Sequence, residues 1–114
     1  MTKQRDYYFD VDAIRVANSS GNQFKRKKSV WDVKLQPNKD AHFAVFPPDL
    51  IKPCILAGSE KNDIILDPFM GSGTTGMVAK ELGRYYIGCE LHEEYGKLID
   101  KRVGEVPVTL EQFL

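Results

Sequence analysis

The chain has few of the residues on which metal, disulfide or membrane chemistry depends. Of 114 residues, two are cysteine, two histidine and one tryptophan. Cys54 and Cys89 stand in neither a Cys-x-x-Cys nor a His-paired spacing. That argues against a metal centre and makes buried, inert thiols the default. No apolar run approaches the roughly 18 residues of a membrane span, and no signal peptide opens the chain, so a cytoplasmic protein with no membrane partner is expected. Net charge is missing too, since 16 basic residues balance 16 acidic ones. Whole-chain charge therefore selects no partner.

The distribution of charge is more informative. Residues 1–40 carry nine Lys/Arg against five Asp, whereas residues 41–114 carry seven against eleven acids. One surface could meet an anionic partner, although a solvated basic loop explains the same numbers. The sequence divides accordingly into a basic N-terminal segment, 1–40, and a segment with α/β periodicity, 41–114. At this length the two make at most one domain.

Within the first segment, Tyr7-Tyr8-Phe9 and Val11, Ile14 and Val16 suit either a short strand or a turn of helix. Residues 18–29 are polar and basic and are expected to form a mobile surface loop, with Lys25, Arg26, Lys27 and Lys28 at its end. Ser29 to Val33 could add a short strand before Pro37. In the second segment Pro47-Pro48 suits a helix start, and Leu50, Ile51, Cys54, Ile55 and Leu56 give an apolar face ending at Gly58. Pro53 could shift or kink that helix. Ile64–Leu66 reads as a strand and Thr75–Leu82 as a helix whose Val78, Ala79 and Leu82 face inward. Tyr85–Glu90 reads as a second strand. Glu93–Val103 is a helix with Tyr95, Leu98, Ile99 and Val103 on one side. Its glutamates at the start and Lys101 and Arg102 at the end suit the helix dipole. Residues 106–110 could pair as an edge strand or lie loose. The pattern predicts a parallel βαβ unit. Two strands make a small sheet, and parallel strands are normally covered on both faces, so the unit reads as part of something larger.

The turn between strand and helix carries the chemistry. Asp67-Pro68-Phe69-Met70-Gly71-Ser72-Gly73-Thr74-Thr75 follows the apolar strand directly, and Glu90 lies 19 residues beyond Gly71, at the tip of the next strand. Glycines at a helix N-terminus let backbone approach a ligand, and an acid one strand later can accept hydrogen bonds from ribose hydroxyls. Gly71, Gly73 and Gly76 satisfy G-x-G-x-x-G, which alone would equally suit NAD. No Gly-Lys-Ser/Thr follows, which disfavours an ATP phosphate loop. The position of Asp67 separates the remaining readings. A carboxylate where the strand ends would repel a pyrophosphate but attract the ammonium of a methionine moiety, which points to S-adenosylmethionine.

These residues, with Gly88-Cys89-Glu90-Leu91, resemble the cofactor half of DNA amino-methyltransferases that make N6-methyladenine or N4-methylcytosine. The likeness extends upstream through Arg5 to Arg15, Ser29 to Val33 and His42-Phe43-Ala44-Val45-Phe46-Pro47, and so covers residues 5 to about 103. It implies a partial Rossmann-like methyltransferase fold, one incomplete domain whose 41–114 portion binds S-adenosylmethionine. By position, Asp67 would hold the methionine end, Pro68 would belong to the cofactor-binding set and Phe69 would flank the cofactor. Gly71 and Gly73 would allow close approach, with Thr74 and Thr75 at the helix N-terminus near the carboxylate. Glu90 would take the ribose hydroxyls, Leu91 would pack on the adenine, and His42, Phe43 and Phe46 would close over the methionine end. Lys25 to Lys28 could touch DNA phosphates. The plain alternatives are a turn cap for Asp67, a solvated acid for Glu90, an ordinary histidine at 42 and a solvated loop for the lysines.

The resemblance also marks what this stretch does not contain. The family's Asp/Ser/Asn-Pro-Pro-Tyr/Phe catalytic signature does not occur; the one Pro-Pro is Phe46-Pro47-Pro48-Asp49. In the family that loop holds the target amine and stacks the extruded base. A Gly-Asp segment for the cofactor adenine and a target-recognition region are likewise not found. The expectation is a cofactor-binding portion, inactive alone, working with DNA and a complementary polypeptide that carries the catalytic segment. Self-association through an open sheet edge is left open. The competing readings are an inactive DNA- or partner-binding remnant and, disfavoured by Asp67-Pro68, a NAD-binding fragment.

Overall fold

The computed structural model describes residues 5–21, 23–34 and 45–106. A 3-10 turn, Asp12–Ile14, is followed by β1 (Val16–Ala17), β2 (Phe24–Lys25), α1 (Pro48–Gly58), β3 (Ile64–Asp67), α2 (Thr74–Glu81), β4 (Tyr85–Gly88) and α3 (Glu93–Gly104). The expected βαβ unit is present. β3 and β4 pair in parallel, with Ile64 opposite Tyr85 and Asp67 opposite Gly88, and α2 forms the crossover between them. His42 and Phe43, the start of the 41–114 segment, and most of the 106–110 stretch lie outside the described residues.

α1 begins where proline permits. Pro47 is the extended cap (φ −69°, ψ 147°) and Pro48 the first helical residue, where a missing N–H costs nothing. The helix runs through Pro53 and ends at Gly58, and the Ser59 hydroxyl donates back to the Ile55 carbonyl at 2.5 Å. α2 packs on both strands, with α1 and α3 beside it. Val78 and Ala79 are fully buried, and Ile55, Ile51, Ile65, Leu82 and Tyr86 close around them. Arg84, itself buried, donates to the Ser59 hydroxyl (3.2 Å) and carbonyl (2.8 Å) and to the Leu82 carbonyl (2.6 Å), tying the start of β4 to the end of α1.

All this packing lies on one face of the strand pair. On the other, Ile64, Leu66, Tyr85 and Ile87 are 62, 65, 55 and 54% exposed. Period-two alternation puts these four on a common face, and no described element covers it.

Three expectations need correction. The 18–29 stretch is not wholly a loop: β2 pairs antiparallel with β1, and the turn between them is closed by Asn18 N–H to the Gln23 carbonyl (2.7 Å), with Gly21 at φ +74°. Strands of two residues are too short for an alternation to signal them, and both residues of β2 are exposed. Ser29 to Val33 forms no strand; instead Trp31 donates its indole N–H to the Lys28 carbonyl (2.6 Å), and the Lys27 ammonium sits 4.8 Å from its ring centroid. Both cysteines are exposed rather than buried. Cys54, on α1, opens onto the cleft between that helix and β3, and Cys89 lies beyond the end of β4.

Among the described residues, no helix is long and apolar enough to cross a membrane.

Candidate functional site

The site lies at the C-terminal ends of β3 and β4, where the glycine turn joins β3 to α2. Two stitches hold the turn to the second strand: the Cys89 N–H donates to the Asp67 carbonyl and the Met70 N–H to the Cys89 carbonyl, both at 2.9 Å. Met70 is buried and lies over Gly88, where a Cβ would collide with its side chain. The glycine of the Gly88-Cys89-Glu90 segment is thus required for the turn to fold down on β4.

The backbone of the turn explains two further glycines. Gly71 and Gly73 have φ of +53° and +86°, the left-handed region that only glycine enters without strain. Gly73 is also the cap of α2, and a Cβ there would stand 3.1 Å from Cγ1 and 3.3 Å from Cα of Ile99 in α3. Gly76 does not serve the turn. It makes room for Tyr86, whose ring carbons would meet its Cβ at 3.0 Å.

The two predicted carboxylates flank this turn. Asp67 accepts the Phe69 N–H (3.0 Å) on one oxygen and the Thr75 hydroxyl (2.6 Å) on the other. Its capping role is therefore present in the structure. Glu90 accepts the Gly71 N–H (2.8 Å) on Oε2 and the His92 N–H (2.9 Å) on Oε1. The pKa of Glu90 is lowered, chiefly by the His92 N–H; desolvation opposes it as the next largest effect, and the N–H groups of Gly71 and Leu91 add to the lowering. Each carboxylate oxygen keeps a second lone pair, so a ligand hydroxyl or ammonium can be accepted without releasing the turn.

Asp67 also opens into a cleft of about 420 Å³ between α1 and β3, lined by Phe46, Ile51, Cys54, Ile55, Asp67 and Thr75 among others. The structure thus brings Phe46 together with Asp67 across some twenty residues of sequence. Phe69 and Leu91, at the two strand ends, are 87 and 93% exposed. Thr74 and Thr75 are buried; Thr75 serves Asp67, and Thr74 faces α3. Lys25, Arg26 and Lys28 are exposed, while Lys27 lines a separate cleft of about 470 Å³ with Arg15, Lys34 and Lys52 and the acids Asp32 and Asp49. That cleft holds neither Asp67 nor Glu90, and its mixed charge selects no ligand.

One contributor lies outside the motif, Arg102, and it acts on a motif residue given no role from sequence, Ser72. Ser72 and Arg102 meet across 30 residues, the guanidinium Nη1 lying 2.9 Å from the Ser72 carbonyl, 2.6 Å from its hydroxyl and 3.4 Å from the Thr74 hydroxyl. The sequence signal for Arg102 was its place in the last turn of α3, which a helix dipole explains equally well.

Comparison with known proteins places these features in a family setting. The model of the family described as DNA methylase (N6_N4_Mtase) matches residues 1–101. The chain is 47% identical over 95 residues to the Type II methyltransferase M.Cfr9I of Citrobacter freundii, covering 83% of this chain and 31% of that protein. It is 44% identical over 102 residues to M.XycI of Xanthomonas campestris pv. cyanopsidis, covering 90% and 34%. Among solved structures, the M1.HpyAVI–SAM complex is similar with a TM-score of 0.57 at 40% identity, covering 71% of this chain and 41% of that one. The PvuII DNA methyltransferase, described as cytosine-N4-specific, gives 0.54 at 34% identity, covering 65% and 26%. The chain therefore spans about a third of the length of the curated relatives it matches.

Proposed function

Because the chain belongs to the DNA methylase family, we propose that it is the S-adenosylmethionine-binding portion of a DNA methyltransferase acting on an exocyclic amine of adenine or cytosine. The observation that carries this reading is the glycine turn held between two strand-end carboxylates, Asp67 and Glu90. The donor set suits the cofactor. Asp67 opens into an apolar cleft of about 420 Å³, as a site for an ammonium beside an aliphatic chain must. Glu90 has one lone pair on each oxygen for a ribose diol, and the exposed Phe69 and Leu91 offer apolar surface to a purine.

When bound, the cofactor supplies an electrophilic methyl group on a sulfonium. This chain's residues contribute orientation. Asp67 would hold the methionine end, Glu90 would fix the sugar, and Gly71 and Gly73 would let the cofactor lie against backbone. Fixing the donor in this way supplies the entropic part of catalysis. Groups that receive the target base belong elsewhere, since this sequence carries no Asp/Ser/Asn-Pro-Pro-Tyr/Phe segment.

The exposed apolar face formed by Ile64, Leu66 and Ile87 supports a second part of the reading. A parallel strand pair is stable when covered on both faces. The occupant we favour is a polypeptide corresponding to the two-thirds of the relatives that this chain does not match. Alone, the chain binds S-adenosylmethionine weakly and transfers no methyl group. Lys25, Arg26 and Lys28 would add non-specific phosphate contacts in the complex with DNA.

The test is reconstitution. The chain is mixed with the remaining portion of a full-length relative, and transfer of labelled methyl to DNA is followed, with mass spectrometry of the nucleosides. The mixture is expected to form N6-methyladenine or N4-methylcytosine, and neither part alone to do so. A mixture that forms a stable complex, binds cofactor and methylates nothing would favour an inactive remnant.

A further inference from the structure

Arg102 lies at the far end of α3 and has no part in the motif. Its guanidinium nevertheless donates to the Ser72 carbonyl at 2.9 Å. That carbonyl belongs to the same peptide group as the Gly73 N–H, which donates to the Met70 carbonyl at 3.0 Å. The Met70 carbonyl in turn shares a peptide group with the Gly71 N–H, which donates to Glu90 at 2.8 Å. The three bonds therefore form one directed series: cation, peptide, peptide, carboxylate. Each peptide dipole points its oxygen toward the Arg102 charge and its N–H toward the Glu90 charge, so every member polarises the next.

We propose that Arg102 is a positioning residue for the cofactor site, the distal anchor of a hydrogen-bonded relay that sets both peptide planes of the glycine turn and the place of the Glu90 carboxylate. Ile99, packed against Gly73 from the same helix, supplies the apolar half of the clamp. The two left-handed glycines make the turn easy to bend and each peptide plane easy to flip. The relay removes that freedom by holding each plane at both its carbonyl and its N–H. The idea rests on the reading of Glu90 as the ribose acid only for its consequence in binding; the relay itself belongs to the free chain.

The experiment uses the full 114-residue chain. Amide proton shifts and hydrogen exchange are recorded by NMR for the wild type and for Arg102→Met, Arg102→Lys and Ser72→Ala, and each is titrated with S-adenosylhomocysteine to millimolar concentration. Arg102→Met should speed exchange at Gly71 and Gly73 about tenfold or more and shift the Gly71 amide proton upfield, with Ile65 and Tyr86 unchanged. Arg102→Lys should recover part of the Gly71 shift, because an ammonium still donates to a carbonyl. Ser72→Ala keeps the carbonyl and should leave Gly71 as in the wild type. Gly71 and Gly73 amides unaffected by Arg102→Met would overturn the proposal. So would loss of protection throughout the chain, equal in the Met and Lys variants, since that would mark a residue needed for stability alone. A wild type that shows no shift with S-adenosylhomocysteine would defeat the cofactor reading, and the spectra of the free chain would still decide the relay.

Discussion

The two faces of the β3–β4 pair differ sharply. On one, Val78 and Ala79 are wholly buried with Ile55 packed beside them, and the strands contribute Ile65 and Tyr86. On the other, Ile64, Leu66, Tyr85 and Ile87 remain more than half exposed. The same eight residues of strand thus make a finished core and an unfinished one. The turn at the end of the strands is finished as well: Asp67 accepts from Phe69 and Thr75, Glu90 from Gly71, the Met70 carbonyl from Gly73 and the Ser72 carbonyl from Arg102. On the proposed function, the cofactor turn is preorganised, while the face that would meet a complementary polypeptide is exposed.

The comparison breaks most visibly if the bare face is made polar. Leu66→Lys with Ile87→Lys should leave the melting temperature of the isolated chain nearly unchanged, since both side chains already face solvent. Association with the complementary portion of a relative should weaken about thirty-fold per position, from about 2 kcal/mol of lost apolar burial each. Reconstituted methyl transfer would then vanish at working concentrations, which calorimetry and the labelled-methyl assay would register together.

Changes on the finished side should do the reverse. Gly73→Ala must hold an alanine at φ +86° and press its methyl group against Ile99. It should lower stability by about 2 kcal/mol, read as a reduced urea midpoint without a change in slope.

A smaller effect sharpens the division of labour within the turn. Asp67→Asn keeps an acceptor for the Phe69 N–H but removes the charge that faces the cleft. Cofactor affinity of the reconstituted enzyme should fall about tenfold, with stability little altered. If stability falls and affinity does not, Asp67 is a turn cap only.

The smallest effect concerns pH. The Glu90 pKa is lowered in the folded chain by the N–H groups it accepts, from His92 first. A group whose folded pKa lies below its unfolded value adds stability above the unfolded pKa and loses it as pH falls through the folded one. The urea midpoint of the wild type should therefore decline on acidification through the carboxylate range, and Glu90→Gln should decline less steeply. Parallel curves would remove Glu90 from the account of the turn.

The sequence made the finished half legible. The period of Val78, Ala79 and Leu82 and the glycine turn marked α2 and its start, and the acids at 67 and 90 marked the strand ends. Other features depend on contacts between distant residues and leave no local trace. Arg102 reads as a dipole partner until Ser72 is found beside it. Gly88 reads as part of a strand until Met70 is seen to occupy its missing side chain's place. The β1–β2 hairpin leaves no sequence signal because Phe24 and Lys25 are both exposed, so no alternation records their pairing. Cys54 and Cys89 stand in apolar runs, which predicts burial, yet both are exposed.

The most direct measurement is an NMR titration of the isotope-labelled chain with S-adenosylhomocysteine, carried into the millimolar range because only one wall of the pocket is expected here. The account predicts weak binding, with shifts concentrated at Asp67, Phe69, Gly71, Gly73, Glu90 and Leu91. Shifts confined to the basic N-terminal segment, or a flat spectrum at these six residues throughout the titration, would contradict it.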